Sequence, residues 1–205
     1  MYKTDIDKIK KQLTKVVSFV DPVYLNVLLL LNKILEDEHV EWALGGELGE
    51  AIETVQVQPD CVEIVTSKEG AEKVYSAIKQ YNPEEIDFQT TKLTRNAKIN
   101  GIEHSIYLRS YYFDFFLDCV KIKVHGDMQY KINDWDWGDK LEFTPEYVNV
   151  TGVKIAVVPL EVKQEIYRNI GWTDRLEKID SVIKRRKQIS SCKVSTITNC
   201  VERDF

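Results

Sequence analysis

The chain has 205 residues, enough for one substantial core with an appendage, and its 43% hydrophobic and 30% charged content is that of a soluble globular protein. A net charge of −5 and a pI near 5.4 exclude a global basic field for nucleic acid. The longest apolar run, "VLLLL" at 27–31, is far too short to span a bilayer, so no membrane partner is expected.

The N-terminal stretch "MYKTDIDKIKKQ" is charged and has no signal-peptide apolar run, which points to a cytoplasmic protein. Ile6, Ile9, Leu13, Val16 and Val17 follow helical spacing and predict an amphipathic helix over 5–18. Asp21-Pro22 reads as an N-cap and first-turn proline opening a second helix over about 22–37, apolar on two sides and buried. That helix is more hydrophobic than one sheet contact requires, which would suit a homodimer or another protein partner. "VEWAL" (40–44) predicts a strand running into Gly45-Gly46, with a short helix behind. "CVEIVT" (61–66) predicts a second strand, and Ser67 caps a helix over 68–80.

Residues 86–125 read as strands, divided at Asn100-Gly101 by a hairpin signal. "YYFDFFLDCVKIKV" (111–124) predicts one long strand, turned by His125-Gly126-Asp127 into "MQYKI". An aromatic loop, "NDWDWGDKLEF", precedes a hairpin turning at Thr151-Gly152. Pro159 opens a helix that Gly171 ends, and Asp174 with Glu177 makes a capping box for a last helix to about Gln188. Residues 190–205 read as a loose tail. No internal repeat appears. The element order predicts an α/β (α+β) architecture: a mixed β-sheet with flanking helices, not a doubly wound parallel sheet.

The four cysteines (61, 119, 192, 200) form no CxxC pair and only three histidines exist, so no structural zinc site is expected. Cys61 and Cys119 fall in strand patterns and read as core residues, while Cys192 and Cys200 could pair but by default stay reduced.

"EWALGGELGEA" resembles the first motif of the polymerase-β-like nucleotidyltransferases, where a strand meets a Gly-Gly or Gly-Ser turn that opens a helix. "QPDCVEIVTSKEGAEKV" is similar to the carboxylate strand and helix that follow, and "SYYFDFFLDCVKIKVHGD" to the third-carboxylate region. "VTGVKIAVVPLEVKQEIYRNIGWTDRLEKI" looks like the closing hairpin and helices of minimal and AbiEii-type members. The likeness spans roughly residues 38–183. It implies a nucleotidyltransferase-like domain over 38–189, an N-terminal helical segment over 1–37 and a tail over 190–205. It also implies nucleotide binding at Gly45, Gly46 and Glu47, because glycines let backbone N–H groups approach a triphosphate. Carboxylates would hold Mg²⁺ ions that bridge nucleotide and acceptor.

Several positions depart from the pattern. Glu47 stands where a small residue is usual. If Glu63 fills the second carboxylate position, Cys61 stands in the first. Asp60 and Glu63 are three apart, so an extended strand sends them to opposite faces. Asp114 and Asp118 are two choices for the third carboxylate, on one face of a regular strand. The resemblance thus gives Glu63, Asp114 and Asp118 as catalytic candidates and Asp60, Glu63 and Asp114 as candidates for weakly held Mg²⁺.

Lys163, Tyr167 and Arg175 lie in the resembling helical segment, where lining the cleft is one reading and surface or packing roles are favoured for each alone. Trp135 and Trp137 read more as an aromatic latch than as a base platform, and "KRRK" at 184–187 more as a solvated helix end than as a phosphate contact. His39, His104 and His125 read as structural.

Three functions fit: a degenerate transferase that binds an NTP as a regulatory module, an active Mg-dependent transferase, and an interaction scaffold. The first is favoured. No tight binding to duplex DNA is expected, because the net charge is negative and aromatic-basic interleaving is absent.

Overall fold

The structure, a computed structural model, describes residues 20–93 and 97–201, with backbone alone from 190 onward. The helix expected over 5–18 and the side chains of Cys192 and Cys200 lie outside the described residues.

Seven strands form one mixed sheet flanked by helices, as the pattern predicts. In chain order the elements are α1 (Pro22–Asp37), β1 (Trp42–Leu44), α2 (Gly46–Ile52), β2 (Val62–Thr66) and α3 (Lys68–Ala77). Strands β3 (Asp87–Lys92), β4 (Ala97–Ile99), β5 (Ile102–His104), β6 (Ile106–Leu117) and β7 (Val120–Ile132) follow. The chain continues through β8 (Glu146–Val150), β9 (Val153–Val157), α4 (Leu160–Ile170) and α5 (Thr173–Val201). Strand order is β3-β6-β7-β2-β1-β9-β8, with β4-β5 a separate hairpin. Only β1–β9 and β2–β7 pair in parallel.

Strand alternation sorts the two faces. Val62, Ile64, Ile122, Val124, Phe113 and Phe115 bury one face beneath α1 and α3. Asp21 caps α1 by accepting from Val23 N at 2.9 Å, and Leu25, Val27, Leu28, Leu31 and Leu35 of that helix enter the same core. The residues between them, among them Glu63, Lys123 and Asp114, face the other side. There α4 and α5 build a smaller core around Leu160, Tyr167, Ile170 and Ile179.

Two turns differ from expectation. The long strand at 111–124 is broken at Asp118-Cys119, both with positive φ (46° and 65°), so that β6 and β7 form a two-residue hairpin. Cys119 is therefore exposed rather than in the core. His125-Gly126-Asp127, expected to turn, instead lies within β7. The β6–β7 register shifts between Arg109 and Tyr111, opposite this stretch, and Asp127 takes a φ of 51°. Gly126 is needed for close packing, since a Cβ there would meet Ser67 O at 2.9 Å. The Asn100-Gly101 and Thr151-Gly152 hairpins form as predicted. α5 continues past Gln188 to Val201, so "KRRK" lies inside a helix rather than at its end.

Candidate functional site

The Gly45-Gly46 turn sits against β2. Gly45 N donates to Glu63 O at 2.7 Å. A Cβ on Gly45 would approach Val65 Cγ2 to 2.8 Å, and one on Gly46, whose φ is +51°, would approach Glu63 Cβ to 3.1 Å. Both positions thus exclude side chains for a steric reason that needs no ligand. The same close approach places Glu63 at the mouth of a cleft of about 280 Å³, lined by Gly45, Gly46, Glu47, Asp60, Cys61 and Glu63 on one side.

Asp60 precedes β2 at a bend, and the alternation expected from an extended strand does not reach it. It borders the cleft together with Glu63, contrary to the opposite-face expectation. Cys61 shares Glu63's face, in the position the resemblance assigns to a first carboxylate. Burial, with a hydrogen bond to Asp60, pushes its thiol up to about 12, so it stays neutral and is a poor partner for a hard cation.

The third-carboxylate expectation meets a different geometry. Glu63 is in register with Lys123 of β7, and Lys123 with Asp114 of β6. Asp114 is therefore two strand spacings, about 10 Å, from Glu63 along the backbone row. A lysine stands between them. Asp114 is buried and already paired, with Lys121 Nζ at 2.5 Å and Tyr112 Oη donating at 2.7 Å. Burial raises its carboxyl, but those two partners outweigh burial and hold it below the usual carboxylate range. Asp118 leaves the strand altogether in the β6–β7 turn, where it is exposed, and it does not line the cleft.

The structure thus brings Asp60 and Glu63 to the cleft and separates Asp114 and Asp118 from them. Among the described residues, no three His, Cys, Asp or Glu side chains come together to hold a metal ion. This donor set does not fit a two-ion carboxylate site.

The far wall holds residues that the sequence alone placed on the surface or in packing. Lys163 is only 4% exposed, with Nζ 3.4 Å from Gly46 O. Burial lowers its pKa, opposed by the nearby carboxylates of Glu50, Glu53 and Glu63. Glu50 is fully buried. It accepts from Tyr167 Oη at 2.6 Å and from Arg175 Nη1 at 2.6 Å, while Arg175 Nη2 pairs with Glu47. Desolvation raises the Glu50 carboxyl, and Lys163 and the Tyr167 hydrogen bond oppose that rise. Glu47 is thereby turned toward α5.

Lys123 lines the cleft as well, with Lys163 and Arg175. Desolvation lowers its pKa, but Cys61, Asp60 and Glu63 outweigh that and raise it. The available sequence signal was spacing: Glu47 and Glu50, and Lys163 and Tyr167, are one helical turn apart, and Lys163 and Tyr167 share the helical face of the apolar Leu160 and Ile170.

No protein-family model matches the chain, and no curated protein matches it. Among solved structures, a candidate nucleotidyltransferase from Thermotoga maritima superposes with a TM-score of 0.61 at 24% identity, over 82% of this chain and 96% of that one. The enzyme ANT(2″)-Ia, in complex with adenylyl-2″-tobramycin, aligns at 6% identity with a TM-score of 0.45, over 85% of this chain and 98% of that one. Among the described residues, no helix is long and apolar enough to cross a membrane. The arrangement of sheet and helices is a nucleotidyltransferase-like fold.

Proposed function

We propose that this chain binds a nucleotide in the Gly45-Gly46 cleft and acts as a regulatory module without efficient transferase turnover. The observation that carries this reading is the row Cys61, Glu63, Lys123. A neutral thiol and an ammonium stand where the chemistry of metal-assisted transfer asks for carboxylates. Lys123 and Lys163 supply the positive charge for phosphates, and the apolar floor that includes Val65, Leu108 and Met128 suits the face of a base.

The test is incubation with each α-labelled NTP, Mg²⁺ or Mn²⁺ and acceptor hydroxyls, alongside equilibrium binding of the same NTP. Saturable binding weakened by Lys123→Met, with no label transferred, is the expected result. A second reading is active transfer, favoured by one observation: Asp60 and Glu63 both border the cleft. Robust label transfer abolished by Glu63→Gln would establish it and overturn the first.

A further inference from the structure

The sheet's helix-side face carries a strip of side chains beyond the helices that cover its lower part. Lys68 Nζ lies 5.0 Å from the Tyr111 ring centroid, and the Tyr111 ring packs against Phe88 with centroids 4.9 Å apart and the planes tilted by 46°. Phe88 lies 5.7 Å from the Arg109 guanidinium, which itself covers Trp137 at 4.3 Å. Lys131 Nζ follows, 5.3 Å from Trp137 and 5.5 Å from Tyr107. Cations and aromatic rings therefore interleave in one line across β3, β6 and β7, from Lys68 at the start of α3 to Trp137 in the loop after β7.

No such interleaving exists in the linear sequence. It arises because Tyr107, Arg109 and Tyr111 project from one side of β6, with Lys92, Thr90 and Phe88 in register on β3 and Lys131 and Gln129 on β7. Phe88 is 47% exposed on the sheet edge. Among the described residues, no carboxylate forms an ion pair within 4 Å of the side chains of Lys68, Arg109 or Lys131; Asp127 pairs with Lys140 at 2.7 Å and accepts from the backbone N of Lys68 at 3.3 Å. The three cations of the strip thus have no ion-pair partner within that distance among the described residues, although the chain as a whole is acidic.

From this geometry we infer that the strip binds single-stranded nucleic acid. Lys68, Arg109 and Lys131 meet phosphates, while Phe88 and Tyr111 offer π-faces to unpaired bases. The five β6 residues from Tyr107 to Tyr111 span about 13 Å, room for a few nucleotides. The surface lies on the opposite side of the sheet from the Glu63 cleft, so it is independent of the nucleotide reading. A duplex, whose bases are stacked on each other, cannot use the rings.

The experiment is fluorescence anisotropy with labelled single-stranded RNA and DNA of about ten nucleotides, and with the same sequence as duplex. Saturable binding of single strands is expected below about 100 μM at low salt, tighter than of duplex, with log K falling with log[salt] at a slope of about −2 for three phosphate contacts. Phe88→Ser is expected to weaken binding about tenfold through lost stacking. Arg109→Gln with Lys131→Gln should flatten the salt dependence. Circular dichroism and melting of each variant confirm folding, and Phe88→Ser, at an exposed edge position, keeps the test valid if Arg109→Gln loosens the Trp137 loop. Glu63→Gln should leave oligonucleotide affinity unchanged. Absence of saturable binding, equal or tighter duplex binding, insensitivity to Phe88→Ser, or loss of binding with Glu63→Gln or excess NTP would each overturn the inference.

Discussion

At the scale of single residues, the cleft is organised by one buried carboxylate. Glu50 has no exposure, and its two oxygens are divided between Tyr167 and Arg175. Removing Arg175 leaves that charge buried with half of its support, a change that typically costs about 3–5 kcal/mol. Arg175→Met is therefore expected to lower stability by an amount in that range, measured by urea unfolding, and Glu50→Gln combined with it should recover part of the loss. Lack of recovery would show that the arginine acts through packing alone. The β2 side of this cleft was legible in the sequence, whereas Lys163 read as a surface or packing residue and Glu50 and Lys123 did not stand out. The reason is physical: charged residues are taken as exposed by default, and only the fold reveals that their helices and strands face one another across the sheet.

Among the elements, those with strong local signals were legible and those with weak ones were not. Asp21-Pro22, Ser67, Asn100-Gly101 and Gly171 all act at the predicted places, because capping and left-handed turns depend on a few neighbouring atoms. The β6–β7 hairpin was missed because its turn contains no glycine. Asp118 and Cys119 adopt φ of 46° and 65°, and a side chain in that region carries a cost of about 1–2 kcal/mol per residue. Asp tolerates it better than Cys, since its short polar side chain can bond locally. Cys119→Gly is accordingly expected to stabilise the protein by about 1 kcal/mol, raising the melting temperature by roughly 2–4 °C for a chain of this size. Calorimetry on the reduced protein would check it, and an unchanged or lower melting temperature would mean that the hairpin is held by its flanking pairs rather than strained at its tip.

For the whole molecule, α4 and α5 are tied to the rest by an apolar core, in which Leu160, Tyr167, Ile170, Ile179, Val182 and Ile183 pack with Val55 and Ile106, and by buried ion pairs to α2. Besides Arg175, Arg186 donates to Glu53 Oε1 at 3.2 Å and to Glu53 O at 2.9 Å, joining α5 to the residue that ends α2. Glu53 is 1% exposed, and among the described residues its Oε2 has no hydrogen-bond partner. Desolvation raises its carboxyl from the usual 4.5 to about 7 despite the opposing charges of Lys163 and Arg186. A carboxyl raised on folding favours the protonated native state. Its contribution is fully present below pH 4.5 and is lost as pH rises through about 7. The difference amounts to about 3 kcal/mol. Glu53→Gln, neutral at every pH, removes this dependence. The variant should therefore gain stability relative to the parent between pH 4.5 and 8, by roughly 6 to 12 °C in melting temperature for a chain of this length. Paired melts across that range decide the matter. A parent–variant difference that stays constant with pH would show that Glu53 ionises freely in the folded protein, and that Arg186 rather than burial governs it.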